Sequence, residues 1–137
     1  MYNLRKLEKV LGGYMKQSII SYLNHHKSKN FRDLLFSYID KSNLKDSDVY
    51  KSVDIDWRLF SKIRCNENYI SSKNTIIKLG LALKLDRHRF DKLLNSAGYC
   101  LGENNIFDLI VVYCLENSIY DLNVVNDYLF KFCGTVL

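Results

Sequence analysis

DVYKSVDIDWRLFSKIRCNENY, residues 48 to 69, packs its apolar residues at three- and four-residue intervals and interrupts them once, at VDID, residues 53 to 56. The spacing predicts two short helices joined by a tight corner, with Val53, Ile55, Leu59 and Ile63 turned inward. Three basic residues, Arg58, Lys62 and Arg64, gather on the second helix. Asp56 stands just before it, where a carboxylate accepts from backbone N–H groups that a helix leaves without partners.

The same rhythm continues on both sides. Upstream, FRDLLFSYID places Phe31, Leu34, Leu35, Tyr38 and Ile39 on one helical face. The junction KSNLKDSD then offers Asp46 and Ser47 as caps for the short helix ending near Val53. Downstream, Ser72 can cap a helix running into the most apolar stretch of the chain, Thr75 to Leu85. Asp86 can cap another that buries Phe90, Leu93, Leu94 and Ala97 before Gly98 ends it. Proline is absent altogether, so no helix interior is broken by it. At 137 residues with 47% hydrophobic and 26% charged residues, the expected class is an all-α, compact helical bundle.

The order of helices from Phe31 to Tyr99 resembles the lambda-repressor-like, or Xre/Cro-type, helix-turn-helix family. Val49, Tyr50, Asp54, Ile55, Leu59 and Ile63 stand in turn at that family's apolar, small, glycine and aliphatic positions around the corner. NYISSKNTIIKLGLALKLDRHRFDKLLNSAGY looks like its fourth and fifth helices, and the succession is similar to a divergent bacterial subgroup. Two positions depart from the pattern. Asp54 replaces the glycine of the left-handed turn, a conformation that aspartate adopts more readily than most residues. Tyr50 replaces a small residue, so its ring must point elsewhere or the helices must cross more widely.

The resemblance implies a small DNA-binding transcriptional regulator that inserts the helix near residues 57 to 65 into the major groove of double-stranded DNA. On that helix Trp57, Arg58, Ser61 and Lys62 fall on the solvent side. Arg58 suits a guanine edge and Ser61 a base or phosphate, while Lys62, Arg64, Lys73, Asn66 and Asn68 suit phosphates. The alternative is a protein-interaction or signalling adaptor that keeps the fold without the groove contacts. Asp54 and Asp56 beside an exposed Trp57 fit that reading.

Charge divides the chain into three. Residues 1 to 30 carry +5, residues 31 to 102 carry +4, and residues 103 to 137 carry −4. The expected organisation is a basic N-terminal helical extension, a five-helix core and an acidic C-terminal helical pair. In the first part Leu4, Leu7, Leu11, Tyr14, Met15, Ile19, Tyr22 and Leu23 form a stripe broken at Gly12 and Gly13, and NHHKSKN, residues 24 to 30, reads as a polar connection. The third part suits two helices, around Phe107 to Leu115 and Leu122 to Phe132. Tyr113, Tyr120, Tyr128 and Phe130 make this pair the candidate contact of a homodimer, and they serve equally to close the core.

Other chemistries find no footing in the residues. His25 and His26 are adjacent rather than one helical turn apart, and Cys65, Cys100, Cys114 and Cys133 lack the close pairing of a structural zinc site, so no metal or cofactor is expected. The cysteines read as small buried hydrophobes. His88 has no nucleophile or carboxylate constellation, which argues against an enzyme. The absence of a long apolar run or secretion signal points to a cytoplasmic protein off the membrane.

Overall fold

A computed structural model describes residues 13 to 26 and 29 to 137. Leu4, Leu7, Leu11 and Gly12 of the N-terminal stripe lie outside the described residues. Within those described, the chain is all-helical and compact: α1 (Gly13–His26), α2 (Phe31–Ser42), α3 (Asp46–Ser52), α4 (Trp57–Cys65), α5 (Lys73–Ala82), α6 (Arg87–Ser96), α7 (Ile106–Glu116) and α8 (Leu122–Cys133). No described helix is long and apolar enough to cross a membrane.

Most helix starts are set by local polar chemistry. Asn30, Asp56, Ser72, Asp86, Asn105 and Asp121 each accept from a backbone N–H two or three residues along, within the first turn of the following helix. The start of α3 differs from expectation. Lys45, not Asp46 or Ser47, holds the capping position, and Asp48 reaches back to accept from the Lys45 N–H at 3.1 Å. A carboxylate at the third helical position thereby satisfies a donor outside the helix, as in half of a capping box. The polar connection also begins later than its composition suggests. α1 continues through His26 because His25 Nδ1 donates to the Ser21 carbonyl and His26 Nδ1 to the Tyr22 carbonyl, each at 2.8 Å.

Four helix exits share one construction. At Asp54, Lys84, Gly98 and Ser118 the backbone turns left-handed, with φ of 54°, 50°, 85° and 55°. The next N–H in each case bonds back five residues: Ile55 to Tyr50 at 2.9 Å, Leu85 to Gly80 at 3.1 Å, Tyr99 to Leu94 at 3.0 Å and Ile119 to Cys114 at 2.8 Å. These are Schellman caps, which satisfy carbonyls at the helix end and drive the following apolar residue inward. Ile55 and Leu85 are buried accordingly.

A single apolar core runs from Phe31 to Leu129. α2 and α5 both pack against α6, while α3 packs against α4 and α5. α7 and α8 form a hairpin that joins this body through α6. α5 and α6 approach closely at Gly80, where a Cβ would stand 2.4 Å from the buried Phe90 ring. Val111, Cys114, Val125 and Leu129 are fully buried, so the C-terminal pair closes the core on one side. Leu59 is only half-buried, while Phe60 takes the inward place beside Ile63. The expectation for the cysteines holds for Cys114 alone. Cys65 and Cys100 are exposed and Cys133 is half-buried, because each falls near a helix end rather than on an inward face. Burial pushes the Cys114 thiol pKa up, which keeps it a neutral, inert packing group.

Candidate nucleic-acid interface

The corner between α3 and α4 spans Val53 to Asp56 and works by dividing its four side chains. Val53 and Ile55 are buried, which anchors both helices to the core, while Asp54 and Asp56 stay exposed. Asp54 takes the left-handed turn, and its N–H bonds weakly to the Lys51 carbonyl at 3.4 Å. Asp56 Oδ1 accepts from the Arg58 N–H at 2.7 Å, so this carboxylate is turned into the start of α4. That position complements the positive end of the helix dipole.

Tyr50 is accommodated by turning its ring against Phe60, with the centroids 5.3 Å apart. Phe60 meets Phe36 of α2 edge-on at 5.8 Å. The aromatic group fills the space between α2, α3 and α4 that a small residue would have left to direct backbone approach. A shallow groove remains on the outside, lined by Lys45, Asp46, Ser47, Tyr50, Trp57, Phe60, Ser61 and Arg64.

The proposed contact residues separate into three groups. Trp57 is 61% exposed at the first position of α4, and the Arg58 guanidinium carbon lies 5.8 Å from its ring centroid. Arg58 and Lys62 are exposed four residues apart on one helical face, and neither pairs with a carboxylate among the described residues. Ser61 is half-buried beside the groove, with Oγ 4.0 Å from Cys65 Sγ.

Arg64 and Lys73 are engaged within the fold. The Arg64 guanidinium bonds to Asp46 Oδ2 and sits 4.1 Å over the Phe36 ring, bracing α4 to α2 and α3. Lys73 Nζ donates to Asp108 Oδ2 at 2.9 Å, which ties the first turn of α5 to α7. The same oxygen accepts from the Gly102 N–H at 2.8 Å. Asn66 and Asn68 are exposed beyond the end of α4, where Asn66 Oδ1 accepts from the Asn68 N–H at 3.0 Å and shapes the loop. The structure thus brings Trp57, Arg58, Ser61 and Lys62 together on one helix, sets Asn66 and Asn68 at its end, and pairs Arg64 at the surface and Lys73 at a half-buried position with carboxylates of the same chain.

Sequence reasoning did not identify Asp108 or Ser71. Both are buried, and Asp108 Oδ1 and Ser71 Oγ have no hydrogen-bond partner among the described residues. Asp108 lies three residues after the Asn105 cap, where an exposed carboxylate would be equally ordinary, so its local sequence carries no signal of burial. Among the described residues no three His, Cys, Asp or Glu side chains gather as a metal site would need. Comparison with family models, with curated proteins and with solved structures finds no match for the chain.

Proposed function

We propose that the protein is a small DNA-binding regulator that places the N-terminal half of α4 in the major groove. The observation that carries this reading is the division of α4. Phe60 and Ile63 are held in the core, while Trp57, Arg58 and Lys62 project from the end of a left-handed corner. A helix anchored in this way can present side chains to base edges without losing its own packing. Arg58 is the guanine-reading residue, through a two-pronged contact worth about 1 to 3 kcal/mol of discrimination. Lys62 and the loop at Asn66 and Asn68 contact phosphates and set the register. Arg64, itself exposed, and the half-buried Lys73 brace α4 and α5 through Asp46, Phe36 and Asp108. Fluorescence anisotropy with mixed-sequence duplexes over a salt series tests the proposal: binding falls steeply as salt rises. Absence of binding at low salt rejects it.

A second reading is an interaction or signalling adaptor. It draws on the exposed Trp57 beside Asp54 and Asp56, an aromatic anchor with a rim unsuited to phosphate. Recovery of one stable protein partner, unchanged by Arg58→Ala with Lys62→Ala, favours this reading over the first.

A further inference from the structure

Given the DNA reading above, on which this rests, we infer that Asp46 limits the affinity of α4 for DNA by holding Arg64 off phosphate. Around α4, Trp57, Ser61 and Arg64 follow one another at four and three residues, forming a stripe beside that of Arg58 and Lys62. All three line the outer groove between α3 and α4. Arg64 is therefore the cation that ends the stripe Trp57 begins, and its side chain is 49% exposed. A phosphate passing along the groove would come within its reach.

Two contacts withhold it. Arg64 Nη2 donates to Asp46 Oδ2, and the guanidinium carbon lies 4.1 Å from the Phe36 ring centroid, so the planar group is gripped at one edge and on one face. Asp46 is the one carboxylate among the described residues lining the groove, where it stands with Lys45 and Arg64. Paired, Arg64 and Asp46 are neutral together and offer a phosphate no net attraction. A phosphate that drew Arg64 away would leave a bare carboxylate beside itself, a like-charge contact that opposes binding. Asp46 occupies one edge of a guanidinium that carries five N–H donors, so a released Arg64 suits a two-pronged phosphate contact. Both partners of the pair are partly exposed, and such a pair adds little to stability. Breaking it alters charge at the interface rather than the fold.

The test is the salt dependence of duplex binding by the unaltered chain, Asp46→Asn, Arg64→Gln and the double variant, with helical circular dichroism checking the fold of each. Each phosphate neutralised adds about 0.9 to the slope of log affinity against log salt. Asp46→Asn should steepen the slope by that amount, so that between about 50 and 200 mM salt its affinity falls about 3.5-fold further than that of the unaltered chain. Asp46→Ala, which leaves no acceptor, should do the same. Asp46→Asn made on Arg64→Gln should leave the slope of Arg64→Gln as it is, which separates release of Arg64 from the simple loss of a negative charge. An equal gain in both backgrounds overturns the inference, as does an unchanged slope in Asp46→Asn. A flatter slope overturns it too, because Asp46 would then be orienting Arg64 onto phosphate. If the unaltered chain binds no duplex at low salt, the DNA reading fails and takes this inference with it; if it binds and Asp46→Asn keeps its slope, this inference fails alone.

Discussion

At Asp54 and Lys84 an L-residue sits at φ near 50°, a conformation that costs roughly 1 to 2 kcal/mol without a compensating local bond. Glycine removes that cost and adds entropy to the unfolded chain. Lys84→Gly should therefore raise stability by about 0.5 to 1 kcal/mol in urea unfolding, and Asp54→Gly by less, because aspartate tolerates the turn better. A loss of stability in Lys84→Gly would contradict the left-handed cap. Gly80 shows the opposite balance. Gly80→Ala gains about 1 kcal/mol of helix propensity but drives a methyl into the buried Phe90 ring, where overpacking costs about 1 to 3 kcal/mol. The midpoint of urea unfolding should fall. Of the left-handed positions, Gly98 and Asp54 were legible because their own chemistry favours the turn. Lys84 and Ser118 were not, since they are held there by the residues that follow, Leu85 and Ile119, bonding back across the helix end.

Helix boundaries were legible where a capping side chain announces itself, as at Asp56, Ser72 and Asp86. They were obscure where the cap acts from inside the helix, as Asp48 does for α3, or where histidines extend a helix through their own backbone bonds. The bond from the Arg89 N–H holds the Asp86 carboxyl below its ordinary pKa of 3.8, with the Arg89 guanidinium acting in the same direction. A depressed folded-state pKa adds stability above the ordinary value and loses it as pH falls through the depressed one. Asp86→Asn should thus narrow the fall in thermal midpoint as pH drops below about 4, as a melting series through the acid range would read. The Lys73–Asp108 pair was invisible because its partners are 35 positions apart. Lys73→Met leaves a buried carboxylate without its cation and should cost about 3 kcal/mol in urea unfolding. Adding Asp108→Leu should recover part of that loss. An unchanged stability in the single variant would show that the pair does not tie α5 to α7.

Across the whole molecule, the all-helical architecture was readable because periodicity, absent proline and polar junctions all pointed the same way. Which faces remain exposed was harder to read. Aromatics at helical spacing in the C-terminal pair look alike in sequence, yet Tyr128 is half-buried while Phe130 and Phe132 stand in solvent. For the candidate interface, the outward side of α4 was legible from its apolar stripe, whereas the pairing of Arg64 and Lys73 with the rest of the chain depended on Asp46, Phe36 and Asp108 across the fold. The proposed function has α4 reading DNA. Its most direct measurement is the affinity of the unaltered chain, Arg58→Ala and Lys62→Ala for one selected duplex, titrated over a salt series. Arg58→Ala should lose about 1 to 3 kcal/mol and relax preference at one base pair, while Lys62→Ala should weaken all duplexes alike and reduce the salt slope by about 1. Unaltered affinity in both variants, or no binding by the unaltered chain at low salt, would contradict it.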